Sequence, residues 1–231
     1  MTGLQPFFET LKNTLATAWP MLTLFIVILT VMKISQIVVN KEKVIFYKEF
    51  YDLLMIIYIL LLYQMLLSTE NALSGINLIP FKEITRYSIG STLFLYNVIG
   101  NIALFIPFGY FMSNKLKAKK TSHIIIVSAI ISLTAELIQY KIGRAFDIDD
   151  VLLNVTGAII GFMVYQSIQL IKRKLPNILQ NNIFYNILAI IVLLAIIILF
   201  GSMWGIILWQ KEHIISKITN YITIMNIYIA Y

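Results

Sequence analysis

Six apolar runs, each of about 18 residues or more and nearly free of charge, constrain this chain more than any other feature. They extend from about residue 15 to 32, 50 to 67, 91 to 112, 123 to 140, 151 to 171 and 183 to 209. In lipid every backbone N–H and C=O must find its partner within the protein, so runs of this length predict spanning helices. A composition of 59% hydrophobic and 13% charged residues excludes an ordinary soluble domain. The expected fold is all-α, a polytopic membrane bundle of about six transmembrane helices with an interfacial C-terminal helix. That last helix is read from Gln210 to Tyr231, where Ile214, Ile218, Ile222, Met225 and Ile229 keep to one side. A seventh crossing there is the alternative. At the other end, Phe7, Phe8 and Leu11 suggest an interfacial lead-in. Ala16 and Ala18 precede the first apolar run instead of following it, which points to an uncleaved anchor.

The formal charge of +7 would suit nucleic acid if it were gathered on one face, but the basic residues sit in short loops between apolar runs. They are therefore read as topology signals and as contacts to membrane lipids, with no nucleic-acid partner. Lys33, Lys41, Lys43, Lys48, Lys115, Lys117, Lys119, Lys120, Lys172, Arg173 and Lys174 fall on one side, eleven of the 18 basic residues. The remaining seven (Lys12, Lys82, Arg86, Lys141, Arg144, Lys211 and Lys217) fall on the other. The positive-inside rule places the larger set in the cytoplasm and both termini outside. The chain has no cysteine, and His123 and His213 lack metal-ligand spacing, so neither a zinc site nor any cofactor is expected.

Polar residues inside the apolar runs mark the candidate site. Asn97 and Asn101 lie four apart on the third run, with Pro107 predicting a kink beyond them. Ser132, Glu136 and Gln139 form a stripe on the fourth, where a carboxylate costs roughly 2.5–3.5 kcal/mol on insertion scales. The loop that follows carries Arg144, Asp147, Asp149 and Asp150. On the fifth run Asp150, Asn154, Gly157 and Gly161 share a face suited to close helix approach. At about 1.5 Å per residue, Asn97 and Asn101 lie roughly 9 and 15 Å below the outer end of their run, and Glu136 roughly 6 Å below its own. This convergence predicts a polar pocket open to the outside.

Four stretches carry a resemblance. Asn77-Leu78-Ile79-Pro80-Phe81, the segment from Asn101 to Gly109, Ser132 to Gln139, and the segment from Arg144 to Gly157 resemble the VanZ-like family of bacterial membrane proteins. The likeness covers roughly residues 50–170. It implies a bacterial plasma membrane, a cell-envelope role and, from the family's founding member, resistance to the glycopeptide teicoplanin. The expected organisation is an N-terminal segment over 1–49, a VanZ-like core of four transmembrane helices over 50–171, and a last helix with its tail over 172–231.

Each candidate has a structural reading beside the functional one. Asp147 suits a helix N-cap, with Asp150 near the same exposed N–H groups, but capping leaves a third acid and Arg144 unexplained. Asn77 with Pro80 reads either as an interfacial turn or as part of the site. Glu136 is either a hydrogen-bonded structural acid or an acid/base, and the acids together could hold Mg²⁺ or Ca²⁺ through oxygen ligands. Three functions follow. A non-enzymatic envelope protein would bind an amphipathic lipid, a lipoglycopeptide or a cell-wall precursor through Asn77, Asn97, Asn101, Glu136, Gln139, Arg144, Asp147, Asp150 and Asn154, with one guanidinium suited to an anionic headgroup. A membrane enzyme would use Glu136, Arg144 and Asp150 on a lipid headgroup. A transporter would exploit Pro107 and the polar stripe, without the inverted repeat common in such proteins.

Overall fold

The computed structural model describes residues 5–41, 44–67, 75–199 and 201. It has six helices long and apolar enough to cross a membrane: α1 (Gln5–Asn40), α2 (Phe46–Leu67), α3 (Thr92–Leu116), α4 (Thr121–Lys141), α5 (Ile148–Lys174) and α6 (Asn182–Leu199). This is a multi-pass helical membrane protein. The expected interfacial helix over 210–231 lies outside the described residues. The lead-in near the N-terminus is helical from Gln5 and continuous with the first span. Two short strands, β1 (Ile76–Asn77) and β2 (Phe146–Asp147), pair in parallel with Asn77 opposite Asp147.

The chain divides into two compact units. The smaller joins Ile45–Tyr47 to the chain from Asn177 onward. Within it Tyr47 donates its backbone N–H to Asn186 Oδ1 at 2.9 Å, and its ring lies 5.3 Å from that of Tyr185. The larger unit holds the polar residues singled out above.

Its core is the seam between α3 and α5, and the sequence explains how close that seam is. A Cβ on Gly157 would strike the carbonyl of Ile102, one on Gly161 the carbonyl of Ile106, and one on Gly109 the backbone of Ala158. The two backbones therefore touch, which only the missing side chains allow. Phe105, Phe108, Ala158, Phe162, Tyr165, Ile124 and Leu62 fill the space beside this contact. α2 is tied in where Tyr58 donates its hydroxyl to the Leu104 carbonyl at 2.6 Å.

α3 stays helical through Pro107. Its departure from α geometry falls earlier, in a π turn over Leu95–Ile99. The wide turn ends eight residues before the proline at which the sequence predicts a kink, and it contains Asn97; such turns often accompany functional sites.

Candidate functional site

α4 runs toward its connection with α5, and α5 runs back from it. One turn taken toward the connection on both helices therefore keeps facing residues level. Asn154 Nδ2 donates to Ser132 Oγ at 2.9 Å, which fixes the register. One turn nearer the connection stand Glu136 on α4 and Asp150 on α5, close enough for Asp150 to act electrostatically on Glu136. From the third side Asn101 Nδ2 donates to Asp150 Oδ1 at 2.6 Å. Glu136, only 2% exposed, accepts the Asp147 backbone N–H on Oε2 at 3.0 Å. Neither the second oxygen of Glu136 nor that of Asp150 has a hydrogen bond among the described residues. Asn154, also 2% exposed, keeps its Oδ1 without a partner among the described residues. A buried acceptor in that state costs roughly 1–3 kcal/mol.

Above this layer the connection is locked. Asp147 is the N-cap of α5, accepting the Asp149 N–H at 2.9 Å, and it also accepts Asn77 Nδ2 at 2.9 Å. Burial pushes the Asp147 carboxyl above the ordinary carboxylate range despite these donors. Asn77 turns its other end back to the Ile79 N–H at 3.3 Å, so one amide fixes both β1 and the turn after it. Pro80 and Phe81 occupy the centre of that turn. Phe81 has φ +66°, where glycine is the usual resident. The buried Asp149 carboxylate holds it there, accepting the N–H groups of Phe81, Glu83 (2.8 Å) and Ile84 (3.3 Å). Hydrogen bonds to a charged acceptor contribute about 1.5–3 kcal/mol each, more than the roughly 1–2 kcal/mol of a left-handed residue.

Gln139 and Arg144 do a third job. Gln139 Nε2 (2.6 Å) and Arg144 Nη1 (3.3 Å) both donate to the Leu66 carbonyl, one of the four at the end of α2 left without an intrahelical partner. The Arg144 guanidinium also lies within electrostatic reach of Glu136 and Asp150.

The structure thus brings the nine expected ligand-binding residues toward one end of the α3–α4–α5 assembly, eight of them hydrogen-bonded in two tiers. Asn101, Glu136, Asp150 and Asn154 form the inner one. Asn77, Asp147, Gln139 and Arg144 hold the surrounding chain. Asn97 is half-buried on the π turn and has no side-chain hydrogen bond among the described residues. The sequence reading left Asp149 and Ser132 out of the site. The clue to Asp149 was the acid that capping does not use, and the clue to Ser132 was its place in the stripe with Glu136. Among the described residues no group of three or more His, Cys, Asp or Glu is arranged to hold a metal ion.

The VanZ/LLP1 family profile matches residues 19–172, about two-thirds of the chain. The chain belongs to the VanZ/LLP1 family. Comparisons with curated proteins and with solved structures found no match. The family match takes in α1 from residue 19, which the four motifs left out, and ends in the last turn of α5. Every residue of the inner tier therefore lies in the VanZ/LLP1 region of the chain. Of the site's four acids, Glu136 and Asp150 lie within electrostatic reach of Arg144, and Asp149 has its charge met by three backbone donors.

Proposed function

We propose that this VanZ/LLP1 protein is a non-enzymatic envelope protein of a bacterial plasma membrane. It binds the polar end of an amphiphile in the outer leaflet and contributes to resistance against teicoplanin-type glycopeptides. The observation that carries this reading is the Glu136–Asp150 pair standing over Asn154, whose buried oxygen has no partner among the described residues. A polar contact between membrane helices is worth about 0.6 kcal/mol on average, too little to justify two acids and an unmet acceptor as helix glue. Groups retained at such cost inside a span mark a binding position. The outer-leaflet placement rests on the basic loops, whose heavier set lies at the opposite ends of α3, α4 and α5. Amphiphiles of the leaflet and lipid-tailed antibiotics reach such a position by lateral diffusion.

The test is teicoplanin susceptibility in a sensitive Gram-positive host expressing wild type, Glu136→Gln or Asp150→Asn, with membrane levels of each protein matched. Wild type is expected to raise the inhibitory concentration at least fourfold and both variants to return it to the vector level. Equal protection by all three would remove the acid pair from the function.

A further inference from the structure

Acceptors of the inner tier lack hydrogen bonds among the described residues, and this bears on what it binds. Asn101 supplies one N–H to Asp150 and the Asp147 backbone supplies one to Glu136. Asn154 gives one of its two amide N–H donors to Ser132. Three acceptors remain without a described donor: the second oxygens of Glu136 and Asp150, and Asn154 Oδ1. The last belongs to a buried side chain, and it lies one turn below Asp150 on the same face of α5. An anion placed here would add a fourth set of acceptors. Arg144 lies in electrostatic reach of both acids, and it is partly committed to the Leu66 carbonyl.

We propose that the amphiphile bound under the reading above carries a primary ammonium at its polar end. Its three N–H donors and single positive charge would match the Glu136–Asp150 pair and Asn154 Oδ1. The approach is from the side of Asp150. Both Asp150 and Asn101 are half-buried, whereas Glu136 and Asn154 are buried behind them. Asn97, four residues before Asn101 on the π turn, lies on that side. Asn97 adds an amide without a side-chain partner among the described residues, placed to meet the part of the headgroup that follows the ammonium. This replaces the anionic headgroup expected from Arg144 with a cationic or zwitterionic one.

This inference rests on the amphiphile-binding reading, and one experiment separates the two. Purified full-length protein in dodecyl maltoside is melted with dihexanoyl-phosphatidylethanolamine, with its N-acetylated form, with dihexanoyl-phosphatidylglycerol and with free ethanolamine. The expected result is a concentration-dependent rise in Tm of a few degrees with the ethanolamine lipid and none with the N-acetylated form. The rise should disappear in Asp150→Asn and in Asn154→Ala, each compared with its own lipid-free melt. A rise with free ethanolamine of the same size would assign the ammonium as the whole ligand and overturn the amphiphile reading while keeping the amine. Equal rises with all three lipids, or a rise with phosphatidylglycerol alone, would overturn the amine and leave amphiphile binding in place. No rise with any probe would overturn both. Should either variant prove too unstable to purify, the contrast between the amine and its acetylated form in wild type decides the matter.

Discussion

Two neighbouring acids at the start of α5 show how much a single position determines. Asp149 turns toward the Pro80–Phe81 turn and has three backbone donors, whereas Asp150 turns toward Asn101 and Glu136. Their chemistry is the same and their consequences should differ. Asp149→Asn is expected to lower stability by about 3 kcal/mol, because it removes the charge from three hydrogen bonds and sets an amide N–H₂ against backbone donors. Asp150→Asn retains an oxygen for Asn101 and should cost under about 1 kcal/mol. Thermal melts of the two variants in detergent, with limited proteolysis across residues 75–90, check this. Loop cleavage should speed up only for Asp149→Asn, and equal destabilisation would contradict the division of labour. The sequence could place three acids at a helix start, but it could not say which one faces the loop. That choice depends on a turn 68 residues earlier in the chain.

Among the elements, the α3–α5 seam was the most legible. Gly157 and Gly161 were expected to permit close approach, and their backbones do lie against the carbonyls of Ile102 and Ile106. Enlarging Gly157 should therefore be severe, since the obstacle is backbone and cannot rotate away. Gly157→Leu is expected to abolish folding or cost more than about 4 kcal/mol, while Gly75→Ala, open around its Cβ, should be nearly neutral. Expression in membranes and size-exclusion profiles would distinguish them. The stripe of Ser132, Glu136 and Gln139 was equally readable, because a period of three and four residues survives in any helix, and all three are buried. The π turn over Leu95–Ile99 was not readable, since no proline or glycine inside it announces the change. Gln139 and Arg144 were read as ligand contacts, yet both bond the end of α2, a pairing that local sequence does not reveal. The parallel pairing of β1 with β2 was missed for the same reason, its two strands being two residues each and far apart in the chain.

For the molecule as a whole, the six spans follow from length and apolarity, and their sidedness is a prediction of charge placement. The chain contains no cysteine, so single cysteines can be introduced without removing others. With both termini outside, a cysteine at Ser88 should react with a membrane-impermeant maleimide in intact cells, and one at Lys119 only after lysis. The reverse pattern would invert the topology and place the acid pair toward the cytoplasm. The Asp149 latch has a consequence in time as well. Phe81 leaves the ribosome 68 residues before the carboxylate that holds it, a delay on the order of 3–14 s at about 5–20 residues per second. Through that interval Leu78, Ile79 and Phe81 form an apolar segment with no clasp, and α3 and α4 must be in place before one arrives. The order of biosynthesis is thus built into the site: the loop that closes over it is made early and secured late.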